Sequence, residues 1–174
     1  MPRIYIASLS DYNAGRLIGE WVDIDATTTE EDLYEAVAAV LAQSREPGAE
    51  EFAIHDYDGF PAGLVGEYEP LARVAAYGAF LAEDDGGERF AFLDVLGFSL
   101  APDALEDAFS EAFYGVYETR AEFAESLLED IGTLASVPDD LRPYFDFDAY
   151  ARDLEFGDFA YVRLPDYRIA VFRS

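Results

Sequence analysis

Nucleophilic chemistry has few candidates in this sequence. His55 is the only histidine and there is no cysteine, so a Ser–His–Asp site would have to use His55. No nucleophile-elbow pattern is present. The neighbours Ala53 and Tyr57 favour a histidine that packs within a strand. We therefore predict no catalytic residue, and we do not expect the chain to be an enzyme.

Short pairs of aspartates could supply oxygen ligands to Ca²⁺ or Mg²⁺. They occur at Asp23-x-Asp25, Asp56-x-Asp58 and Asp146-x-Asp148. None continues into an EF-hand loop, which needs a third oxygen ligand and a distal Glu at set spacing. The chain has 37 acidic residues, so such pairs arise by chance. There is also no Gly-rich phosphate loop. We predict no metal ion and no cofactor.

A comb of glutamates in the last third of the chain has the spacing of one helix face. Glu118, Glu122, Glu125 and Glu129 follow each other at steps of 4, 3 and 4 residues. Each step covers about 5 to 6 Å along the helix axis. This spacing is similar to that of phosphates along one nucleic-acid strand, and Arg120 is the only basic residue within the comb. The pattern favours a surface that engages a basic groove, with an ordinary solvated helix face as the alternative.

Other carboxylates extend this acidic surface. Glu31 and Glu35 form a like-charge pair at helical spacing, Asp130 follows the comb, and Asp139 and Asp140 lie in a later turn. We expect nine residues to bind the partner in place of phosphates: Glu31, Glu35, Glu118, Glu122, Glu125, Glu129, Asp130, Asp139 and Asp140.

The net charge limits the kinds of partner. The formal charge is −26, and all 11 basic residues are arginine. Such a chain repels nucleic acid, phosphate-rich ligands and anionic membranes, so a partner should be basic. Duplex DNA carries one charge per about 1.7 Å, so the net charge corresponds to about 44 Å of duplex. Solubility alone needs a net charge of only about 2 to 8 in magnitude, and adaptation to high salt is an open alternative.

The sequence also bears on the compartment. The first residues, from Met1 to Ile6, lack the apolar run of a signal peptide. No stretch approaches the roughly 18 apolar residues of a membrane span. The absence of cysteine excludes disulfides. We expect a cytoplasmic protein with no membrane partner.

Apolar periodicity predicts an α+β fold made of small modules, in the order ββαβ, helices, βααββ. Strands are predicted at 3–9, 16–24, 52–57, 113–117, 159–164 and 168–172. Helices are predicted at about 27–44, 70–81, 90–96, 102–109, 120–135 and 146–154. Gly97 should close the 90–96 helix, and residues 10–15 should form a turn. Thr28 and Glu31 have capping-box spacing, and Phe123, Leu127, Leu128, Ile131 and Leu134 form a buried stripe.

Glycine and proline clusters indicate where the modules meet. The run from Asp58 to Gly63 is the clearest boundary. We predict three domains: an N-terminal ββαβ domain at 1–62, a small helical domain at 63–110 and an α+β domain at 111–174 that ends in a hairpin.

Several segments together resemble the ArdA antirestriction family. The first is Ile4-Tyr5-Ile6-Ala7-Ser8-Leu9, followed by Tyr12-Asn13-x-Gly15 and Gly19-x-Trp21. The second is Ala53-Ile54-His55-Asp56-Tyr57, and the third runs from Gly132-x-Leu134 through Val137-Pro138, Leu141 and Tyr144 to Tyr150-Ala151-Arg152-Asp153-Leu154. They lie in order across nearly the whole chain, whereas the middle third matches only in helical character.

The resemblance implies an elongated, non-enzymatic protein of three small domains that forms a homodimer. Its acidic surface would imitate bent B-form DNA and block the groove formed by the methyltransferase and specificity subunits of Type I restriction–modification enzymes. The antirestriction segment of the family maps by resemblance onto Glu125 to Pro138. Two rivals stay open: a general acidic decoy for another basic DNA-binding protein, and a hydrolase that uses a pair of carboxylates.

Overall fold

The computed structural model describes residues 1–96 and 100–174. Its described part holds seven α-helices and two three-stranded antiparallel sheets, which confirms the predicted α+β class. The chain forms two compact units. The first unit comprises Met1–Asp85 with Leu96–Glu106, and the second comprises Gly86–Val95 with Asp107–Ser174. The division into domains 1–62, 63–110 and 111–174 stays a prediction.

The first unit is built on an antiparallel sheet in the order β2-β1-β3. Its elements are β1 (Arg3–Ser8), α1 (Leu9–Asn13), β2 (Gly19–Asp23), α2 (Glu30–Ala42), β3 (Phe52–Asp58), α3 (Leu71–Ala82) and a 3₁₀ turn (Pro102–Ala104). The predicted strands at 3–9 and 52–57 are confirmed to within one residue. The strand predicted at 16–24 is shorter, and the turn predicted at 10–15 is mostly the helix α1.

The core of the first unit lies between this sheet and α2. Ile4 and Ile6 of β1 are fully buried, and the apolar face of α2 supplies Leu33, Val37 and Val40. Helix α3 packs against α2. On α3, a Cβ at Gly78 would lie 2.3 Å from Cγ2 of Ile24, so this close approach requires glycine.

The capping box of α2 lies one residue later than the sequence predicted. Thr29 is the N-cap and accepts a hydrogen bond from the N–H of Asp32 at 3.2 Å, while Asp32 accepts the N–H of Thr29 at 2.8 Å. The predicted pair of Thr28 and Glu31 is therefore wrong. Instead, the Thr28 hydroxyl accepts a hydrogen bond from the N–H of Asp25 at 3.0 Å.

The second unit contains an antiparallel sheet in the order β4-β6-β5. Helices α4 (Glu88–Leu96) and α5 (Leu105–Ala112) contribute most of their residues to it. The other elements are β4 (Phe113–Tyr117), α6 (Arg120–Asp130), α7 (Phe147–Glu155), β5 (Phe159–Arg163), β6 (Ile169–Arg173) and the 3₁₀ turns Leu134–Ser136 and Arg142–Tyr144. The predicted end of α4 at Gly97 lies outside the described residues.

Aromatic residues form the core beneath α6. The ring of Phe123 lies 4.9 Å from that of Phe159 and 5.3 Å from those of Tyr114 and Tyr117. Leu127 joins this cluster, and α7 packs against α6. Phe123 and Leu127 of the predicted apolar stripe therefore pack α6 against the sheet, and the opposite face of the helix is turned to water.

Helix α6 ends earlier than the predicted residue 135. It stops at Asp130, and Gly132 adopts a left-handed φ of 76°, a common helix terminator. As a result Ile131, predicted to be buried, is 60% exposed. Leu134 is buried as predicted, but in the separate turn Leu134–Ser136.

Candidate partner-binding surface

All nine predicted carboxylate residues are exposed. Glu31 and Glu35 lie on α2 in the first unit, and the other seven lie in the second unit. Exposure is the first requirement for residues that must meet a partner. Their local contacts differ, however, and these contacts divide the set into carboxylates used within the fold and carboxylates left to solvent.

Glu122 helps to start α6. The N-cap Thr119 accepts the N–H of Glu122 at 3.1 Å, and Oε2 of Glu122 accepts the N–H of Glu118 at 2.7 Å. This arrangement is close to a capping box, in which two free N–H groups at a helix start are both satisfied. Glu122 therefore has a structural role that the sequence analysis did not assign.

Glu125 and Glu129 are the unconstrained members of the comb. Within the ranges 1–96 and 100–174, neither side chain has an ion pair or a hydrogen bond. They are four residues apart, so they occupy successive turns of the same exposed face. Glu129 also lies in the last turn of α6, where the negative end of the helix dipole disfavours a carboxylate. Both charges are available to a cationic partner.

Arg120, the only basic residue within the comb, forms an ion pair with a residue of α7. Its Nη1 atom lies 2.6 Å from Oε2 of Glu155, and its guanidinium lies 4.9 Å from the ring centre of Tyr161. Burial raises the pKa of Tyr161 to about 12, and its hydroxyl donates to the carbonyl of Ala151 at 3.0 Å. The positive charge of Arg120 is thus balanced within the unit, and the comb keeps its negative charge.

Glu118 and Glu122 of the comb, together with Asp130, act on neighbouring side chains through their charge. Burial raises the pKa of the Tyr117 hydroxyl, and the carboxylates of Asp130 and Glu122 raise it further. Asp166 is the main cause of the raised pKa of Arg168, and Glu118 adds to it. The carboxylate of Glu118 is therefore partly screened by a guanidinium.

The last two predicted carboxylates differ as well. Oδ1 of Asp139 lies 3.5 Å from Nε of Arg142, and Nη2 of the same arginine donates to the carbonyl of Leu134 at 3.0 Å. Asp139 is almost fully exposed, so this pair is weak. Asp140 makes no ion pair or side-chain hydrogen bond with the part of the chain that the structure describes. Arg142 thus ties together the two 3₁₀ turns that flank these aspartates.

Two aspartates at and before the start of α2 are used in the fold, whereas the two predicted glutamates of this helix have no ion pair among the described residues. Hydrogen bonds from Thr27 and Thr29 lower the pKa of Asp25 and Asp32, respectively. Glu31 and Glu35 have no ion pair among the described residues. The start of α2 therefore combines two structural carboxylates with two that face solvent.

Sequence reasoning missed a buried carboxylate in the first unit. Asp11 is fully buried, and it accepts hydrogen bonds from Ser8 at 2.9 Å, from the N–H of Arg45 at 3.2 Å, from Arg16 at 3.2 Å and from Ser44. The bond from Ser44 is the main cause that lowers the pKa of Asp11 to about 2. The Ser8-x-x-Asp11 spacing was the only local signal of this helix start.

His55 lies in the wall of a cleft rather than inside the core. This cleft has a volume of about 420 Å³ and also contains Asp56 and Glu67. The hydrolase alternative would have to place its carboxylates in such a cleft. Across the described ranges, no group of three or more His, Cys, Asp or Glu residues could hold a metal ion. None of the described helices is long and apolar enough to cross a bilayer.

Comparison with known families identifies the chain. The profile of the antirestriction protein (ArdA) family matches residues 4–164. No curated protein matches the chain. The match begins in β1, spans both compact units and includes all nine predicted carboxylates, which confirms the resemblance found in the sequence. The chain therefore belongs to the ArdA family of antirestriction proteins.

Proposed function

We propose that this protein inhibits Type I restriction–modification enzymes by occupying the groove in which the methyltransferase and specificity subunits bind DNA. It acts by binding, without catalysis, in the cytoplasm. The observation that carries the proposal is the state of the α6 comb. Glu125 and Glu129 are free in the described structure, while the one base of the comb is paired with Glu155.

Electrostatics explains how carboxylates can compete with DNA. A DNA-binding groove gains affinity when its Lys and Arg side chains neutralise phosphates and release counterions. Carboxylates held on a rigid helix satisfy the same cations at similar spacing. With a net charge of −26 the protein repels itself, and binding to a basic groove relieves that repulsion. The acids of both units contribute to this attraction.

The proposed form is an elongated homodimer of three-domain chains. Exposed aromatic side chains of the second unit support self-association: Tyr144 is 85% exposed and Phe156 is 91% exposed. Exposed apolar side chains mark a protein interface where they form a contiguous patch, and Tyr144 and Phe156 are proposed to belong to one. A dimer would double the acidic surface offered to one enzyme.

A general acidic decoy is the second candidate. The same free carboxylates would attract other basic DNA-binding proteins, because the charge term is independent of sequence. The two candidates differ in specificity, since a decoy binds unrelated basic proteins as tightly as it binds the restriction enzyme.

Neutralisation of three exposed carboxylates of α6 tests the proposal. The triple variant Glu125→Gln, Glu129→Gln and Asp130→Asn should weaken binding to a Type I methyltransferase about tenfold or more, as measured by fluorescence anisotropy. The control variant Glu50→Gln, Glu111→Gln and Asp158→Asn removes the same charge from exposed positions outside the predicted set. Equal losses in both variants would contradict a specific role for α6. Equal binding of the wild type to an unrelated basic protein would favour the decoy.

A further inference from the structure

A cleft in the first unit has walls of aromatic rings and one carboxylate. Its volume is about 430 Å³, and it is lined by Tyr5, Tyr12, Leu17, Trp21, His55 and Asp56. No basic side chain other than His55 is among these residues. Tyr12 is 56% exposed and Trp21 is 39% exposed, so the rings are open to solvent. None of these residues belongs to the predicted carboxylate set.

The rings are held in place by the sheet and by α1. Tyr5 and Trp21 face each other across β1 and β2, with their ring centres 5.5 Å apart in an edge arrangement. A Cβ at Gly19 would lie 2.7 Å from the Tyr5 ring, so glycine leaves the room that this ring needs. Tyr12 lies 4.6 Å from His55, on the helix that the buried Asp11 anchors. The cleft is therefore preorganised.

The same surface already binds one guanidinium group. Arg3 lies 4.7 Å from the centre of the Trp21 ring and 2.9 Å from Oδ2 of Asp58. Its partners are thus one aromatic ring and one carboxylate. Within the cleft, Asp56 lies opposite Tyr5 in the sheet. Its Oδ1 accepts the N–H of Tyr57 at 2.8 Å, and among the described residues its carboxylate has no ion pair. The cleft therefore offers a second guanidinium the same two kinds of partner, an aromatic ring and a carboxylate.

We propose that this aromatic cleft binds an arginine side chain of the basic partner, between the rings of Tyr5, Tyr12 and Trp21 and the carboxylate of Asp56. Arginine fits better than lysine because a planar guanidinium stacks on aromatic faces and pairs with carboxylates through two N–H groups. A nucleobase fits less well than an arginine. The phosphates attached to it would be repelled by the carboxylates of Asp56 and, in the adjoining cleft, Glu67. The choice of a basic partner rests on the proposed function. Stacking of the arginine on the aromatic rings adds to the charge attraction described there.

The single tryptophan of the chain provides the readout. Titration with a tetra-arginine peptide should change the emission of Trp21, and a tetra-lysine peptide should bind at least about fivefold more weakly. Asp56→Asn should lose at least about fivefold in tetra-arginine affinity, whereas Glu50→Gln, an equal charge change outside the cleft, should lose less than about twofold. Tyr12→Leu should weaken binding and Tyr12→Phe should restore it, with thermal unfolding as the check on folding.

Two results would overturn the inference. Equal affinity for the two peptides, with equal effects of Asp56→Asn and Glu50→Gln, would show that net charge alone attracts them. Unchanged binding of Asp56→Asn and Tyr12→Leu to a Type I methyltransferase would show that the partner places no arginine in the cleft. Failure of the proposed function is distinct, because in that case the wild type itself would not bind the enzyme.

Discussion

The Nη1 atom of Arg120 lies 2.6 Å from the Oε2 atom of Glu155, and this ion pair joins α6 to α7. Arg120 is the only basic residue within the comb, and its positive charge is paired inside the unit rather than left to solvent. Both side chains are partly exposed, so the pair itself adds only about 0.2 to 1 kcal/mol to the free energy of unfolding. Its larger effect is on the potential that the comb presents to a partner.

Removal of either member of this pair should change partner affinity in opposite directions. Arg120→Gln removes a positive charge and should tighten binding to a Type I methyltransferase by about twofold to fivefold at low salt. Glu155→Gln leaves Arg120 unpaired beside the comb and should weaken binding by a similar factor. Anisotropy titrations of the two variants provide the measurement. A shift of both affinities in the same direction would contradict the assigned role of the pair.

Structural and free carboxylates of α6 should separate in stability measurements. Glu122→Ala removes an acceptor at the helix start and should lower the free energy of unfolding by about 0.3 to 1.5 kcal/mol. Glu129→Ala removes a charge that the helix dipole disfavours and should leave stability unchanged or raise it by about 0.3 to 1 kcal/mol. Denaturant unfolding of each variant measures both effects. If Glu129→Ala is the more destabilising, the division of the comb is wrong.

Stability should pass through a maximum in mild acid. Protonation of the many exposed carboxylates in acid lowers the net negative charge and relieves self-repulsion, which favours the folded state. Asp11 opposes this trend at lower pH. Its folded pKa of about 2 lies below the ordinary 3.8, so its contribution is complete above 3.8 and is lost as the pH falls through 2.

The variant Asp11→Asn tests this assignment. It should melt at a lower temperature than the wild type at pH 5 and should lose stability less steeply between pH 4 and 2, because the titrating group is gone. Thermal melts followed by circular dichroism across this range provide the comparison. An equally steep decline in the variant would place the acid sensitivity elsewhere.

Exposed aromatics of the second unit should govern self-association. The double variant Tyr144→Ser and Phe156→Ser should dissociate at protein concentrations at which the wild type is dimeric, with little change in unfolding, because both side chains already face solvent. Tyr68→Ser, at an exposed position of the first unit, is the control. Sedimentation velocity distinguishes the two. A wild type that stays monomeric, or a dimer that persists in the double variant, would exclude this surface.

Local patterns in the sequence predicted the elements that depend on nearby residues. Strand β4 matches its predicted range, and α6 begins at the predicted residue 120, because alternation and helix starts depend on short-range effects. The face of α6 followed from the 3.6-residue period, so the exposure of Glu125 and Glu129 was predictable. The end of α6 was not, since the left-handed Gly132 overrides an apolar period that continues through Ile131.

Contacts between distant segments account for what the sequence did not reveal. Asp11 is buried because Ser44 and Arg45, more than 30 residues away, satisfy its oxygens. Arg120 finds its partner 35 residues later in Glu155. Nothing in the pattern of charges distinguishes a structural carboxylate from a free one before such partners are known. The aromatic cleft is also a product of strand register, which pairs Tyr5 with Trp21.

The most direct test of DNA mimicry is competition at two salt concentrations. The purified protein is titrated against a fluorescent duplex bound to a Type I methyltransferase, and displacement is measured by anisotropy. We expect displacement of the duplex, with an affinity that falls steeply as salt rises, because carboxylates compete for the cations that bind phosphates. Failure of a folded sample to displace the duplex, or an affinity independent of salt, would contradict the account.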